Sequence, residues 1–301
     1  MIHAVAFAGL GAVGAIYAQR ASLCTETPST AIVRDSCSYQ KDPVFINGNR
    51  LDLPLLTPTQ QHEPFDLIIV AVKWHTFKQT MEQIAPFTGD KTIILSLLNG
   101  IQSEKLLMQR FPQAHVLPAL CSGVDSNRTG RRVSMNRIGQ IVFGEPNGQV
   151  SDAMLAVADY FQRVQIPYSF SNEIEHALWW KLMVNVGINQ VSGVMNLNYG
   201  AFRQNEEAMM RMHRAQREVI AIARAKGIPM TEADMDQWDH QLNSLSPDGF
   251  SSTLQDIRAR RKTEVELYGD EICRMGRELG IATPENKALA SAIHQIEQAY
   301  L

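Results

Sequence analysis

Residues 2–14 read Ile2-His3-Ala4-Val5-Ala6-Phe7-Ala8-Gly9-Leu10-Gly11-Ala12-Val13-Gly14, and this stretch decides the fold. An apolar run of this kind predicts a buried parallel strand, and the glycines behind it predict a tight turn into a helix. In such a turn Gly9 allows the bend, Gly11 lets a phosphate approach the backbone, and Gly14 lets helix and strand pack closely. The amides of Ala12 and Val13 then face the anion. We therefore predict a dinucleotide site formed by Gly9, Leu10, Gly11, Ala12, Val13 and Gly14; the alternative is an ordinary glycine-rich turn of another doubly wound fold.

The composition excludes several classes of partner. The chain has 301 residues, of which 45% are hydrophobic and 20% charged, with a formal net charge of -3. So small a charge gives no electrostatic reason to expect binding to nucleic acid or to a membrane surface. No signal-peptide pattern precedes the first strand, and no apolar stretch approaches the roughly 20 residues of a membrane span. We therefore expect a cytoplasmic protein.

Cysteine and histidine spacing predicts no metal site and no disulfide framework. The four cysteines (Cys24, Cys37, Cys121 and Cys273) are far apart and form no CxxC pair. The eight histidines are scattered, with no HExxH motif. Metal ligands normally show such short spacings, so we expect no metal.

The first half of the chain alternates between strand-like and helical segments. Strands are predicted at His3–Ala8, Thr30–Val33, Leu67–Val72, Thr92–Leu97 and Ala114–Ala119. Helices are predicted at Ala12–Ala21, Trp74–Ile84 and Gln102–Gln109, and an antiparallel extension at Arg132–Asn136 and Gln140–Phe143. Such alternation predicts an α/β domain, a Rossmann-like doubly wound parallel sheet, over residues 1–170.

The second half has helical periodicity almost throughout. Helices are predicted at Glu173–Asn198, Glu206–Lys226, Thr231–Asn243, Ser252–Leu279 and Pro284–Tyr300. Residues 171–301 are therefore predicted to form an all-helical C-terminal domain. The polar side chains described below make this domain the expected carrier of the substrate-binding and catalytic groups. The cleft between the two domains is the expected site.

The residue after the second strand indicates which cofactor binds. An acidic residue there suits the ribose 2′-hydroxyl of NAD, whereas an arginine suits the 2′-phosphate of NADP. The strand Ala31-Ile32-Val33 ends in Arg34, which favours NADP. Asp35 follows at once, so a small shift in register would favour NAD instead. A separate alternative is that Arg34 is only a solvated surface charge.

A polar stripe runs along the first helix of the second half. Lys181, Asn185 and Asn189 are spaced four residues apart, so they share one face of a helix whose other residues are mostly apolar. Buried amides and ammonium groups need partners, and a polar substrate would supply them. The alternative is the wetted face of a long amphipathic helix. Gly187 inside this helix requires a close approach by backbone or ligand.

A second candidate lies at Ser252, after the breaker Pro247-Asp248-Gly249. Ser252-Thr253-Leu254-Gln255 reads as a capping box, so Ser252 would begin a helix whose free amides and hydroxyls receive a carboxylate. Glu264 is expected further along the same helix. The alternative is that Ser252 is only a helix cap and Glu264 a surface charge.

Together these residues resemble the ketopantoate reductase (2-dehydropantoate 2-reductase) family over nearly the whole chain. The resemblance is carried by the glycine turn, Val72-Lys73, Asn99-Gly100, Trp180-Lys181-Leu182 with Asn185 and Asn189, Ser251-Ser252-Thr253-Leu254-Gln255-Asp256, and Thr263-Glu264. It implies an NADPH-dependent oxidoreductase of pantothenate biosynthesis that reduces a small 2-oxo acid, most directly ketopantoate to pantoate. It leaves a homodimer open.

The resemblance also implies roles for individual residues. Lys181 corresponds to the general acid, and Glu264 to the residue that contacts the substrate hydroxyl and helps to hold the lysine. The positions that match substrate-binding residues are Asn185, Asn189 and Ser252. The positions that match cofactor-binding residues are Arg34, Lys73 and Asn99.

One position departs from the family pattern. An ungapped comparison puts Tyr199 where the family often has a substrate-binding asparagine, with Asn198 one place before it, so both are candidate substrate-binding residues. This departure leaves open a related dehydrogenase that acts on a different oxo acid or an imine. A non-catalytic NADP-binding sensor is the alternative from another class, and the presence of Lys181 and Glu264 argues against it.

Overall fold

The apolar run before the glycine turn forms strand β1 (Val5–Ala8), whose four residues are all buried. The structure, a computed structural model, describes residues 1–301, and the chain divides into two units, Met1–Ile174 and Glu175–Leu301. The other strands of the first unit are β2 (Ser29–Ile32), β3 (Phe45–Ile46), β4 (Asn49–Arg50), β5 (Leu55–Leu56), β6 (Leu67–Val70), β7 (Ile93–Ser96), β8 (His115–Leu117), β9 (Ala119–Ser122), β10 (Asp125–Thr129), β11 (Arg132–Arg137), β12 (Gln140–Phe143) and β13 (Tyr168–Phe170). Its helices are α1 (Ala12–Ser22), α2 (Ser36–Lys41), α3 (Trp74–Ile84), α4 (Ser103–Arg110) and α5 (Asp152–Arg163).

Six of these strands form the parallel sheet that the sequence predicted. Their order is β5-β2-β1-β6-β7-β8, and Phe7 of β1 is paired with Ala31 on one side and Ile69 on the other. Alternate residues of β1 enter two separate hydrophobic cores, with Phe7 in one and Ala6 in the other, so both faces of the sheet are covered. The prediction of a doubly wound α/β domain is confirmed. The strand order reverses between β1 and β6, and in such sheets ligands bind at that switch point.

The antiparallel extension has more parts than the sequence indicated. β10 and β11 form an antiparallel hairpin, and β12 pairs antiparallel with β9. The predicted strand over residues 114–119 is wrong as a single element. Pro118 lacks the backbone donor that a continuous ladder needs, and the chain divides there into β8 and β9. The short strands β3 to β5 and the helices α2 and α5 were not predicted.

The second unit is helical, as predicted. Helix α6 (Ile174–Met195) leads into it, followed by α7 (Tyr199–Arg203), α8 (Glu206–Ala225), α9 (Glu232–Ser244), α10 (Ser252–Arg258), α11 (Gly269–Leu279) and α12 (Pro284–Gln298). None of the helices combines the length and the apolar character that crossing a membrane requires.

The prediction of one helix over residues 252–279 is wrong. Helix α10 ends after seven residues, because Arg260 adopts a left-handed conformation with φ of 51°. The Arg260 amide then donates to Ile257 O at 3.0 Å and the Arg261 amide to Asp256 O at 2.9 Å, which closes the helix in a Schellman motif. Glycine usually occupies that left-handed position, so an arginine gave no sign of the break in the sequence.

Candidate active site

The turn after β1 has a geometry that requires glycine at two positions. Gly9 has a φ of 106°, and a Cβ there would lie 2.5 Å from Ala71 O. A Cβ on Gly14 would lie 2.0 Å from Gly9 O, so α1 lies too close to the turn for any side chain. Gly11 differs, because the atom nearest to a Cβ placed there would be Ala71 O at 3.7 Å. The open face of Gly11 leaves room for a ligand at the backbone.

The first turn of α1 provides the partner for an anion. Gly11 is the N-cap and no side chain caps the helix, whose first turn contains no acidic residue. Leu10 is buried, and Ala12 and Val13 are half-buried. Unpaired amides and the positive end of the helix dipole favour a bound phosphate. The residues of the turn therefore fit the pyrophosphate of a dinucleotide.

Three further predicted residues lie at the same edge of the sheet. Arg34 follows β2, Lys73 follows β6 as the N-cap of α3, and Asn99 follows β7. β2 and β6 are the parallel neighbours of β1, and β7 pairs parallel with β6, so the carboxyl ends of these strands lie at the same edge of the sheet as the glycine turn. Lys73 and Asn99 are half-buried, whereas Arg34 is exposed. The fold thus brings the predicted cofactor residues to one edge.

Asp35, the residue that left NAD open, has a structural role. It is the N-cap of α2, and its carboxylate accepts a hydrogen bond from the Ser38 amide at 3.3 Å. An aspartate at this position satisfies a helix amide that otherwise has no partner. Its carboxylate is engaged at the helix start, while the neighbouring Arg34 side chain extends into solvent.

In the second unit, α6 carries the polar stripe as one helix face. Lys181 and Asn185 are half-buried, and Asn189 is 4% exposed. The Asn189 Nδ2 donates to Ser252 Oγ at 3.2 Å, which joins the stripe to the start of α10. The Asn185 Nδ2 is buried and has no hydrogen-bond partner. Because buried donors are normally satisfied, this amide is suited to an acceptor on a ligand.

The cap of α10 is Ser251, not Ser252. Ser251 Oγ accepts from the Leu254 amide at 3.2 Å and also lies 2.6 Å from Ser192 Oγ of α6. The prediction that Ser252 begins a capping box is therefore wrong. Ser252 is the first residue inside the helix, and its half-buried hydroxyl contacts Asn189 rather than the helix backbone.

Glu264 also lies elsewhere than expected. It is not on α10 but follows it, directly before a short 3₁₀ turn at Val265–Leu267, and it is 4% exposed. This burial excludes the alternative that Glu264 is a surface charge. The negative charge of Glu264 raises the pKa of the Tyr268 hydroxyl, and no sequence pattern had indicated Tyr268 as a site residue.

Tyr268 lies among the predicted substrate residues. Burial raises the pKa of the Tyr268 hydroxyl well above its usual value, the Glu264 charge raises it further, and Asn189 and Ser252 act in the opposite direction. The hydroxyl is buried without a well-formed hydrogen bond. Asn189, Ser252, Glu264 and Tyr268 therefore form one polar cluster. An apolar-looking Leu267-Tyr268-Gly269 stretch gave no signal for it.

Asn198 and Tyr199, where the sequence departs from the family pattern, lie in a tightly packed part of the second unit. Asn198 caps α7, its Oδ1 accepting from the Ala201 amide at 2.8 Å. The Tyr199 amide donates to Gly249 O at 3.0 Å, and a Cβ on Gly249 would lie 2.9 Å from the Tyr199 ring. Tyr199 thus packs on the loop that leads into Ser251, close in sequence to the start of α10.

Gly187 is explained by packing between helices. A Cβ there would lie 2.8 Å from Met212 Cγ and 2.9 Å from Gln216 Nε2, both on α8. The close approach that its position required comes from side chains of a neighbouring helix. Gly187 therefore gives no separate support to a ligand on α6.

No group of three or more His, Cys, Asp or Glu side chains is arranged to hold a metal ion. The first unit offers a phosphate-binding turn, and the second unit offers amides, hydroxyls, one lysine and one buried carboxylate.

Family models match both units of the chain. The ketopantoate reductase PanE/ApbA model matches residues 5–148, and the model of the C-terminal region of the same family matches residues 173–297. A curated 2-dehydropantoate 2-reductase of Streptococcus pyogenes serotype M6 is 23% identical over 304 residues, covering 97% of this chain and 97% of the relative.

Solved structures resemble the chain along its whole length. A PanE/ApbA family ketopantoate reductase from Ralstonia eutropha JMP134 has a TM-score of 0.86 at 23% identity and covers 99% of both chains. D-mandelate dehydrogenase, solved with NADH and anilino(oxo)acetate, has a TM-score of 0.85 at 20% identity and also covers 99% of both. At these identities the likeness concerns the fold. With both of its units matched by the family models, the chain belongs to the ketopantoate reductase PanE/ApbA family of oxidoreductases.

Proposed function

We propose that the protein reduces a 2-oxo acid to a 2-hydroxy acid with NADPH, and that the acid is 2-dehydropantoate, the precursor of pantoate in pantothenate biosynthesis. The observation that carries the proposal is the polar cluster of the second unit. Its bond between Asn189 and Ser252 joins the lysine-bearing face of α6 to the start of α10. The match of both units to one reductase family supports the same reaction.

The proposed chemistry needs a proton donor and a set of positioning groups. A nicotinamide bound at this site would supply a hydride to the ketone carbon. Lys181 would stabilise the negative charge that develops on the ketone oxygen and deliver a proton to it. Glu264 would orient the lysine ammonium and accept a hydrogen bond from the substrate hydroxyl.

The remaining groups would hold the substrate. The Ser252 hydroxyl suits a carboxylate, because it offers a donor at the positive end of a helix. Asn189 and Asn185 would bind the hydroxyl and carbonyl groups, and the buried Asn185 Nδ2 without a partner fits that task. Asn198 and Tyr199 would border the pocket, with Asn198 acting mainly as a helix cap.

The preference for NADPH is supported by the end of the second strand. Arg34 is exposed and suits a 2′-phosphate, whereas the carboxylate of Asp35 is engaged in capping α2. Gly9, Leu10, Gly11, Ala12, Val13 and Gly14 would hold the pyrophosphate. Lys73 and Asn99 would contact the cofactor from the neighbouring strand ends.

A second candidate function is a dehydrogenase of the same fold that acts on a different oxo acid or an imine. Two observations favour it: Tyr199 stands where the family often has an asparagine, and D-mandelate dehydrogenase shares the fold at a TM-score of 0.85. A larger, more apolar side chain beside the pocket would suit an acid with a bulkier substituent.

The test is the initial rate of NADPH oxidation by the purified protein with 2-dehydropantoate and with a panel of other 2-oxo acids that includes aromatic ones. A kcat/KM for 2-dehydropantoate well above the rest supports the proposal. A higher value for another acid transfers it to the second candidate. Tight NADPH binding without turnover of any acid would favour a non-catalytic NADP-binding sensor.

Replacement of Lys181 by methionine tests the proton donor. We expect kcat to fall by about 100-fold or more, because general acid catalysis typically contributes at least that factor. NADPH affinity, measured by fluorescence titration, should stay close to that of the parent protein. Lys226→Met, at an exposed position after α8, is the matched control. Turnover within a few-fold of the parent would refute the role of Lys181.

A homodimer and a cytoplasmic location are predictions from the sequence. Size-exclusion chromatography with light scattering would give a homodimer a molar mass of twice the 33.7 kDa of the chain. The expected cytoplasmic location would be seen by fractionating cells that express the protein.

A further inference from the structure

The hairpin of β10 and β11 lies beside the first turn of α1. Ser126 Oγ of β10 donates to Ala12 O at 3.4 Å, and Tyr17 Oη of α1 donates to Ile138 O, directly after β11, at 3.1 Å. Both contacts fix the hairpin against the helix that follows the glycine turn. The hairpin is therefore a fixed neighbour of the phosphate-binding turn within the first unit.

Arg128 brings a guanidinium from this hairpin to the open face of Gly11. Its Nε donates to Gly130 O at 2.7 Å, which fixes the plane of the group at the end of the hairpin. Its Nη1 would lie 3.9 Å from a Cβ on Gly11, and apart from the adjacent residues Leu10 and Ala12 no other side chain comes within 4 Å of that point. Among residues distant in sequence, Arg128 is thus the side chain nearest to the glycine that a phosphate would approach.

Electrostatics make this an anion-binding arrangement. The N-terminus of a helix carries a partial positive charge of about half an elementary charge, and a cation placed there is repelled. The first turn of α1 has no acidic side chain to offset that charge. A bound pyrophosphate would reverse the sign of the interaction, since the helix end and a guanidinium both stabilise phosphate oxygens.

We propose that Arg128 is a ligand of the cofactor pyrophosphate, an inference that rests on the dinucleotide-binding function proposed above. Arg128 and Arg34 then act on different parts of the cofactor. Arg34 follows β2, where the adenine ribose is expected, whereas Arg128 faces Gly11. Since NADH and NADPH share the pyrophosphate, Arg128 contributes equally to the binding of both.

The test compares the dissociation constants of NADPH, NADH and ADP-ribose for the parent protein and for Arg128→Met, by fluorescence titration or calorimetry. We expect all three constants to rise by about tenfold or more, the effect of losing a charge-assisted hydrogen bond to phosphate. Adenosine 2′-monophosphate, which has no pyrophosphate, should bind as before. Arg128→Lys, which keeps the charge but not the planar fork, should lose less affinity.

Arg137→Met is the matched control. Arg137 lies at the far end of β11, is exposed, and its replacement removes the same charge from the same hairpin. Unchanged affinities in Arg128→Met, or equal losses in Arg137→Met, would overturn the assignment. A loss confined to NADPH would also overturn it, because it would place Arg128 at the 2′-phosphate. A parent protein that binds neither nucleotide would instead refute the proposed function. If Arg128→Met does not fold, the dissociation constants of the same three ligands for Arg128→Lys test the assignment of Arg128 instead.

Discussion

At the scale of single residues, adjacent charges in this chain have different tasks. Arg34 and Asp35 are neighbours, yet only the aspartate takes part in a helix cap. The arginine side chain is exposed at the carboxyl end of β2. A sequence reading that treats the two as alternatives for the same ribose contact does not see that the Asp35 carboxylate already accepts a hydrogen bond from the Ser38 amide.

Arg34→Ala should weaken NADPH binding by about tenfold or more while NADH binding changes little, because only NADPH carries the 2′-phosphate that a guanidinium pairs with. Dissociation constants for the two nucleotides measure this difference. Arg50→Ala, which removes an exposed arginine from β4 of the same unit, serves as the control. Equal losses for NADH and NADPH would contradict the assignment of Arg34.

At the scale of elements, two consecutive serines at the start of α10 make different contacts: Ser251 caps the helix, and Ser252, which we propose binds substrate, contacts Asn189. Ser251→Ala removes the helix cap and the partner of the buried Ser192 hydroxyl. We expect the free energy of unfolding to fall by about 1–3 kcal/mol. Urea denaturation followed by circular dichroism measures the change.

Ser252→Ala is the counterpart at the next residue. Ser252 does not cap the helix, so its loss should destabilise the protein less than the loss of Ser251, through the unpaired Asn189 amide alone, but should raise KM for the 2-oxo acid. A large loss of stability in Ser252→Ala with an unchanged KM would show that the two serines have the opposite roles.

The same elements show where sequence reasoning succeeds and where it stops. The glycine turn and the β1–α1 unit follow from local rules, because Gly9 and Gly14 leave no room for a Cβ. The end of α10 does not, since Arg260 adopts a conformation usually reserved for glycine. Tyr268 was missed for another reason: its position beside Glu264 is a product of the break between α10 and α11, which no periodicity records.

At the scale of the whole molecule, the predicted cofactor and substrate residues are distributed between two units. The glycine turn and Arg128 belong to Met1–Ile174, whereas Lys181 and Glu264 belong to Glu175–Leu301. A ligand that contains only the adenosine and pyrophosphate part of the cofactor therefore has its predicted contacts in the first unit.

Hydrogen exchange measured by mass spectrometry tests this division. With saturating ADP-ribose, we expect increased protection in peptides that cover residues 9–22 and 125–137, because bound phosphate stabilises the start of α1 and the hairpin beside it. Peptides of α8 and α9 should exchange as in the free protein. Protection spread evenly over both units would contradict the expected location of the pyrophosphate contacts.

The helix cap formed by Asp35 limits which position can be changed to redesign the cofactor preference. An engineer who wants an NADH-dependent variant would first replace Arg34 and then rely on Asp35 to accept the ribose hydroxyl. That carboxylate is already engaged with the Ser38 amide, and withdrawing it would cost about 1 kcal/mol of helix stability. The efficient route therefore adds a new carboxylate at position 34 itself and leaves the capping residue in place.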